Sequence, residues 1–286
     1  MLLQIAINGL VLAGNYALVA VGLTLVFGVM RMVNFAQGQS VMIGAFTALT
    51  VAPVIGYLPA IVVAMLVNVV LGVLLERLAF RPFRGVELNG LIASMGVSII
   101  LVNLAELVWG TTPRAFDTAL NGVSFTLGTV GVSAQRALVI AASVVLLGGL
   151  WWLVQYSSLG RQFRAVSEDP EIAAAMGIDA DRVSRRAVVL GTMLSAAGGA
   201  LSGPVTLVTP QMGQAEMLNA FAAIILGGFG NVGGTMFGAL VIGMAQALAA
   251  VYVSNAYSNS IAFILLVVTL IFFPRGLVPE RMAENV

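Results

Sequence analysis

The sequence predicts an all-α polytopic membrane protein, and three observations carry that expectation. Sixty per cent of the 286 residues are hydrophobic, and the mean hydropathy is +1.04. Only 9% are charged, where soluble domains hold roughly 25%. Apolar stretches that match a hydrocarbon core of about 30 Å, or roughly 20 helical residues, recur from end to end.

Taken in order, the apolar segments are 5–30, 37–52, 58–80, 88–109, 134–156, 187–203, 217–229, 235–253 and 258–273. The first lacks a positive n-region and is too long for a signal h-region, so it reads as a retained span. The second and seventh are short and open on glycines or polar residues, which suits broken or tilted helices. Eight or nine crossings follow, depending on the seventh, and the whole of 1–286 reads as one transmembrane domain. Small residues recur throughout, as in GTMLSAAGGALSG, and let helices approach closely. Outside the segments, 110–133 is the longest outer loop; Val123, Phe125 and Leu127 alternate there with small polar residues, the pattern of a hairpin. The glycine run 227–238 reads as a tight helical turn, with a second gate as the alternative.

The loop 157–186 holds ten of the 25 charged residues. Inside it, Asp169 is placed as an N-cap, Pro170 as the first helical residue, Glu171 as a first-turn acid and Gly177 as a left-handed stop. Asp179 marks a second helix start. Such a capped helix between two spans is either a docking element for a soluble partner or a solvated loop helix, and local sequence does not separate the two.

All 13 basic residues are arginine. With nine spans and this loop in the cytoplasm, eleven arginines fall inside and only Arg114 and Arg136 outside. The positive-inside rule then sets the N-terminus out and the C-terminus in. There is no Cys and no His, which removes disulfides, thiol metal sites and the commonest general base. Without His, an intramembrane nucleophile such as Ser94, Ser98 or Ser195 has no base, and each reads as a bond to a neighbouring helix. Polar residues within spans are few: Asn8, Asn15, Asn68, Asn103, Glu106, Gln246 and the group Asn34, Gln37 and Gln39. Glu76 and Arg77 read as snorkelling at an inner end. No acid or base is placed at mid-bilayer, which argues against an ion-coupled secondary carrier.

At NFAQGQSVMIGAF, RPFRG followed by LIASMGVSIIL, GRQFRAVSEDPEIAAAMGI, PQMG, NAFAAIILGGFGNVGGTMFGALVIG and FPRGL, the chain resembles the LivH-type permease subunit of bacterial branched-chain amino acid ABC importers, in the hydrophobic amino acid uptake family. The resemblance implies a type II-like importer fold in the inner membrane. It implies as partners a homologous second permease, two cytoplasmic ATPases that hold the ATP and Mg, and an extracytoplasmic binding protein. It also implies that Asp169, Pro170, Glu171, Ile172, Met176 and Gly177 form a coupling helix docked in an ATPase groove, and that this subunit carries no catalytic, cofactor or metal site. Family members commonly have His and Glu where this chain has Gln37 and Gln39, and often Lys where it has Asn219. Branched-chain amino acids are the expected substrates; urea, short amides and organic acids are the alternatives. Asn34, Gln37, Gln39 and Ser40 are candidate path residues, because the Gly38 break can turn backbone groups toward a cavity. Capping and interhelical hydrogen bonds are the competing role for the same four.

Overall fold

A computed structural model describes residues 2–83, 87–127, 130–254, 257–273 and 276–277. Arg84, Arg275, Arg281 and parts of the RPFRG and FPRGL motifs lie outside the described residues.

Each expected apolar segment is a helix. They are α1 (Leu2–Met30), α2 (Gln37–Ile55), α3 (Tyr57–Leu75), α4 (Glu87–Trp109), α5 (Ala134–Tyr156), then α6 (Ser158–Glu168) and α7 (Pro170–Ala175) in the charged loop, followed by α8 (Ala180–Ser202), α9 (Met212–Gly227), α10 (Val232–Tyr252) and α11 (Ser258–Phe272). Six of these are long and apolar enough to cross a membrane among the described residues: α1, α2, α3 with its extension, α4, α5 and α10. Outside the loop helices α6 and α7, the other three fall short for different reasons. α8 spends its first turns on Asp181, Arg182, Arg185 and Arg186, while α9 and α11 are only 16 and 15 residues long.

The helix boundaries depart from the apolar limits where a cap governs the start. α8 begins seven residues before Ala187, because Asp179 Oδ1 accepts the Arg182 N–H at 3.1 Å and carries the helix through its charged turns. α6 adds a helix to the charged loop beyond the expected segments; it buries Phe163 and Val166 and exposes Arg161 and Arg164. The 110–133 hairpin is present as β1 (Ser124–Leu127) and β2 (Val130–Ser133), antiparallel with Ser124 opposite Ser133.

α1 is the central post. It packs antiparallel to α10, with Thr24 and Thr235 hydroxyls bonded at 2.9 Å, and antiparallel to α8, where Gly22 meets Gly191. α2 and α3 close around α8, and α9 folds back on α10 through a turn with Gly228 at φ 103° and Gly230 at φ 84°. Asn231 caps α10 by accepting the Gly234 N–H at 3.0 Å, so residues 228–231 form the turn between α9 and α10. α4 and α5 lie at the edge, with most of their surface uncovered.

Contacts between loops sort the helix ends into two faces. On one, Arg114 and Val208 exchange backbone hydrogen bonds at 3.0 and 2.9 Å, and Gln135 donates to Tyr57 Oη at 2.7 Å. On the other, Arg81 meets Asp181 at 3.5 Å, Arg185 meets Glu76 at 3.1 Å, and Arg31 reaches Ser167 and Glu168. Glu76 therefore corrects the sequence reading. It does not snorkel; it is fully buried in a π-helical segment, Glu76–Phe80, and an arginine from α8 satisfies it. Spacing within one segment cannot reveal a partner 109 residues away.

Candidate functional site

The charged loop folds as its turn residues dictate. Asp169 adopts an extended conformation, and its Oδ1 accepts the N–H groups of Glu171 (2.8 Å) and Ile172 (3.0 Å). Pro170 occupies the first helical position, where its missing N–H costs nothing. At the far end Ile178 N–H donates to Ala173 O and Gly177 N–H to Ala174 O, both at 3.0 Å, with Gly177 at φ 83°. That pair of bonds is a Schellman closure, which favours glycine at the left-handed position. α7 is fixed at both ends and turned so that Ala173 is buried while Ile172 and Met176 are 64% and 78% exposed. Two large apolar side chains thus project from the most charged loop of the molecule.

Behind α7, Arg31 donates from Nη2 to the carbonyls of Ser167 (3.2 Å) and Glu168 (3.3 Å), the last residues of α6. A cation at a helix C-terminus complements its dipole. Arg31 is the only non-glycine residue with positive φ (53°) among those described. It ends α1 and starts the connection to α2, so the loop helices are tied to the segment that carries the polar cluster.

That cluster is deep. Gln37 Nε2 lies between Gly22 and Gly191, so α2 begins beside Gly22, eight residues or about 12 Å before the end of α1 at 1.5 Å per residue. Residues 31–36 climb back into the bundle. Asn34, Gln37 and Ser40 have no exposed surface, and Gln39 has 2%. Asn34 Nδ2 donates to Gln37 Oε1 (3.2 Å), Gln37 Nε2 to Ser195 Oγ (2.8 Å) and Gln39 Nε2 to Ser98 Oγ (2.9 Å). Asn34 Oδ1, Gln39 Oε1 and Ser40 Oγ are enclosed without a partner. Interior groups of this kind are rare enough that each calls for a reason. At the same level Gly38 and Gly213 bring the starts of α2 and α9 into backbone contact, a crossing with no room for a side chain on either. Ser94 accepts the Phe35 N–H at 3.1 Å, so all three serines considered as nucleophiles instead bond another segment.

The four sequence-designated residues thus divide. Asn34, Gln37 and Ser40 are wholly buried, Gln37 between α1 and α8. Gln39 alone reaches a cavity of about 490 Å³ between α2, α4 and α9, lined also by Phe35, Ser98 and Gln214.

Sequence reasoning missed a second network. Tyr16 Oη donates to Gln246 Oε1 (2.6 Å), and Gln246 Nε2 donates to Asn219 Oδ1 (3.1 Å), joining α1, α10 and α9. Glu216 lies one turn before Asn219, half-buried, with Oε2 enclosed and unpartnered. The segment read as 217–229 stopped short of it; α9 starts five residues earlier and draws this acid into the helix. The signal was available: Glu216 and Asn219 are spaced i, i+3, on one helical face. Among the described residues no three His, Cys, Asp or Glu converge as metal ligands.

The family described as "Branched-chain amino acid transport system / permease component" matches residues 5–270. The chain belongs to this family. This permease is 32% identical to the high-affinity branched-chain amino acid transport system permease protein LivH of Escherichia coli (strain K12), over 99% of its own length and 97% of that protein's. It is 34% identical to the corresponding protein BraD of Pseudomonas aeruginosa, over 99% and 98%. Among solved structures, a chain of PsaBC from Streptococcus pneumoniae in complex with Fab covers 94% of the permease at 14% identity and a TM-score of 0.48. The permease is therefore a multi-pass membrane protein and a subunit of an ABC transport system, from a family of transport components.

Proposed function

We propose that this permease is one of two membrane subunits of an ATP-driven importer of branched-chain or similar hydrophobic amino acids. α7 is its coupling helix, resting in a groove of a cytoplasmic ATPase. One observation carries the reading: a helix capped at both ends on a charged loop presents Ile172 and Met176 to the outside. Apolar side chains so held are stabilised when a partner covers them. Both relatives compared above are named for branched-chain amino acid transport, which supports the substrate class.

The orientation that follows has the N-terminus outside and the C-terminus in the cytoplasm of the bacterial inner membrane. The two-face sorting of the loops agrees with the nine-span reading. ATP and Mg belong to the ATPases, and a binding protein delivers the solute from outside. This subunit contributes no bond-making chemistry. Motion of α7 passes through the α6 end and Arg31 to the segment 31–36 and thence to the crossing of α2 and α9. That link is hydrogen-bonded rather than merely adjacent, so a shift of α6 acts on the start of α2.

The test is reconstitution in proteoliposomes. Leucine uptake is expected only with both permeases, the ATPases, ATP and the binding protein together. Uptake by this subunit alone under an ion gradient would overturn the reading in favour of a secondary carrier.

A further inference from the structure

Two cavities of nearly equal size open at the edges of the bundle, and their walls differ in kind. One, of about 510 Å³, lies between α1, α5 and α10; apart from Ser143 and the Trp151 indole, its lining side chains are apolar or glycine. A lipid chain satisfies such a wall. The other, of about 490 Å³, lies between α2, α4 and α9 and adds Gln39, Ser98, Asn103 and Gln214 to an apolar side that includes Ile99 and Leu218. Hydrocarbon cannot satisfy carboxamides and hydroxyls. Both volumes fall in the range of roughly 300–1,000 Å³ typical of small-molecule sites, so chemistry and not size tells them apart.

We infer that the cavity between α2, α4 and α9 is this subunit's half of the solute site, and that it takes a net-neutral solute with one polar end and one apolar end. The inference rests on the importer reading and narrows its substrate. Among the described residues no acid or base lines the cavity, so a net-anionic organic acid meets no counter-charge, while a zwitterion brings its own. Urea leaves the Ile99 and Leu218 side unused. A zwitterionic amino acid with an apolar side chain uses both.

Gln39 supplies the polar end. It is 2% exposed, its Nε2 is committed to Ser98 at 2.9 Å, and its Oε1 has no donor. That oxygen rests against Gly213, at the crossing of the α2 and α9 starts. A small separation of those two helices frees an acceptor for a solute ammonium or amide N–H. The site therefore lies at the junction that motion of the segment 31–36 moves.

The experiment uses the reconstituted complex and Ile99, which lines the cavity yet is 64% exposed and tolerates change. Ile99→Trp is expected to lower initial leucine uptake at least ten-fold with ATPase subunits retained, while Val145→Trp, on the outer surface of α5, leaves uptake unchanged. In this cysteine-free chain, Ile99→Cys is expected to react with a membrane-impermeant thiol reagent, and leucine with its binding protein to slow that reaction several-fold. Parent-level uptake by Ile99→Trp, or an Ile99→Cys thiol inert to the reagent as a lipid-covered one is, would overturn the inference and leave the importer reading standing. A parent complex that accumulates an organic acid and no neutral amino acid would overturn the inference together with the substrate half of the reading.

Discussion

Gln37→Leu separates a packing residue from a path residue. Gln37 has no exposed surface, sits between Gly22 and Gly191, donates to Ser195 and accepts from Asn34. Leucine fills a comparable volume but makes neither bond. A buried polar group left without its partner costs about 1–3 kcal/mol. Ser195 can turn its hydroxyl to a carbonyl of its own helix, whereas the Asn34 amide has no such recourse, so the net loss is about 2–3 kcal/mol. At about 2–4 °C per kcal/mol for large domains, the midpoint for loss of the monodisperse, detergent-purified permease complex falls by about 5–10 °C. Because the Ser195 hydroxyl finds a carbonyl of its own helix, adding Ser195→Ala to Gln37→Leu is expected to recover little of that fall. An unchanged midpoint with transport abolished would refute the argument and return Gln37 to the path.

Three further outcomes follow from the geometry. Asp169→Ala removes both N-cap bonds and costs about 0.5–2 kcal/mol of local helix stability, read as faster amide exchange at 171–176 with the membrane helices unchanged; equal exchange would mean the cap is idle. Gly213→Leu drives a side chain into the Gly38 backbone, where overpacking costs about 1–3 kcal/mol or more, and the purified complex is expected to lose monodispersity; a fully stable variant would deny the close crossing. Single cysteines at Ser124 and Glu168 are expected to label from opposite sides, outside and inside, while Glu284→Cys, beyond the described residues, labels from inside if α9 crosses and from outside if it does not.

Local chemistry was the most legible part of the chain. The Asp169, Pro170 and Gly177 triplet announces α7, and Asp179 announces α8, because caps and left-handed stops act within a turn. The spans were legible as apolar runs, and α2, α5 and α11 start where expected, but the starts of α8 and α9 were not legible. The stretch 212–216 reads as loop by hydropathy, yet it is helical because Gly213 lets it pack on α2. Pairings across the chain, such as Glu76 with Arg185 or Tyr16 with Gln246, depend on which helices meet and leave no periodic trace. The polar cluster was visible as composition. That Gln37 packs while Gln39, two residues on, reaches a cavity follows from α2 starting inside the bundle, which no single segment discloses.

Coupling of the permease to an ATPase through α7 is tested by the double variant Ile172→Asp, Met176→Asp. Covering these side chains from their exposed state is worth about 1–2 kcal/mol each, about 2–4 together, or roughly 30- to 1,000-fold in affinity. Charge in a desolvated contact adds to the loss. Because both side chains already face outward, the variant is expected to insert and purify like the parent, to lose the ATPases on affinity purification, and to show no ATP-driven leucine uptake. Retention of both ATPases with uptake at the parent rate would show that α7 is a solvated loop helix with no coupling role.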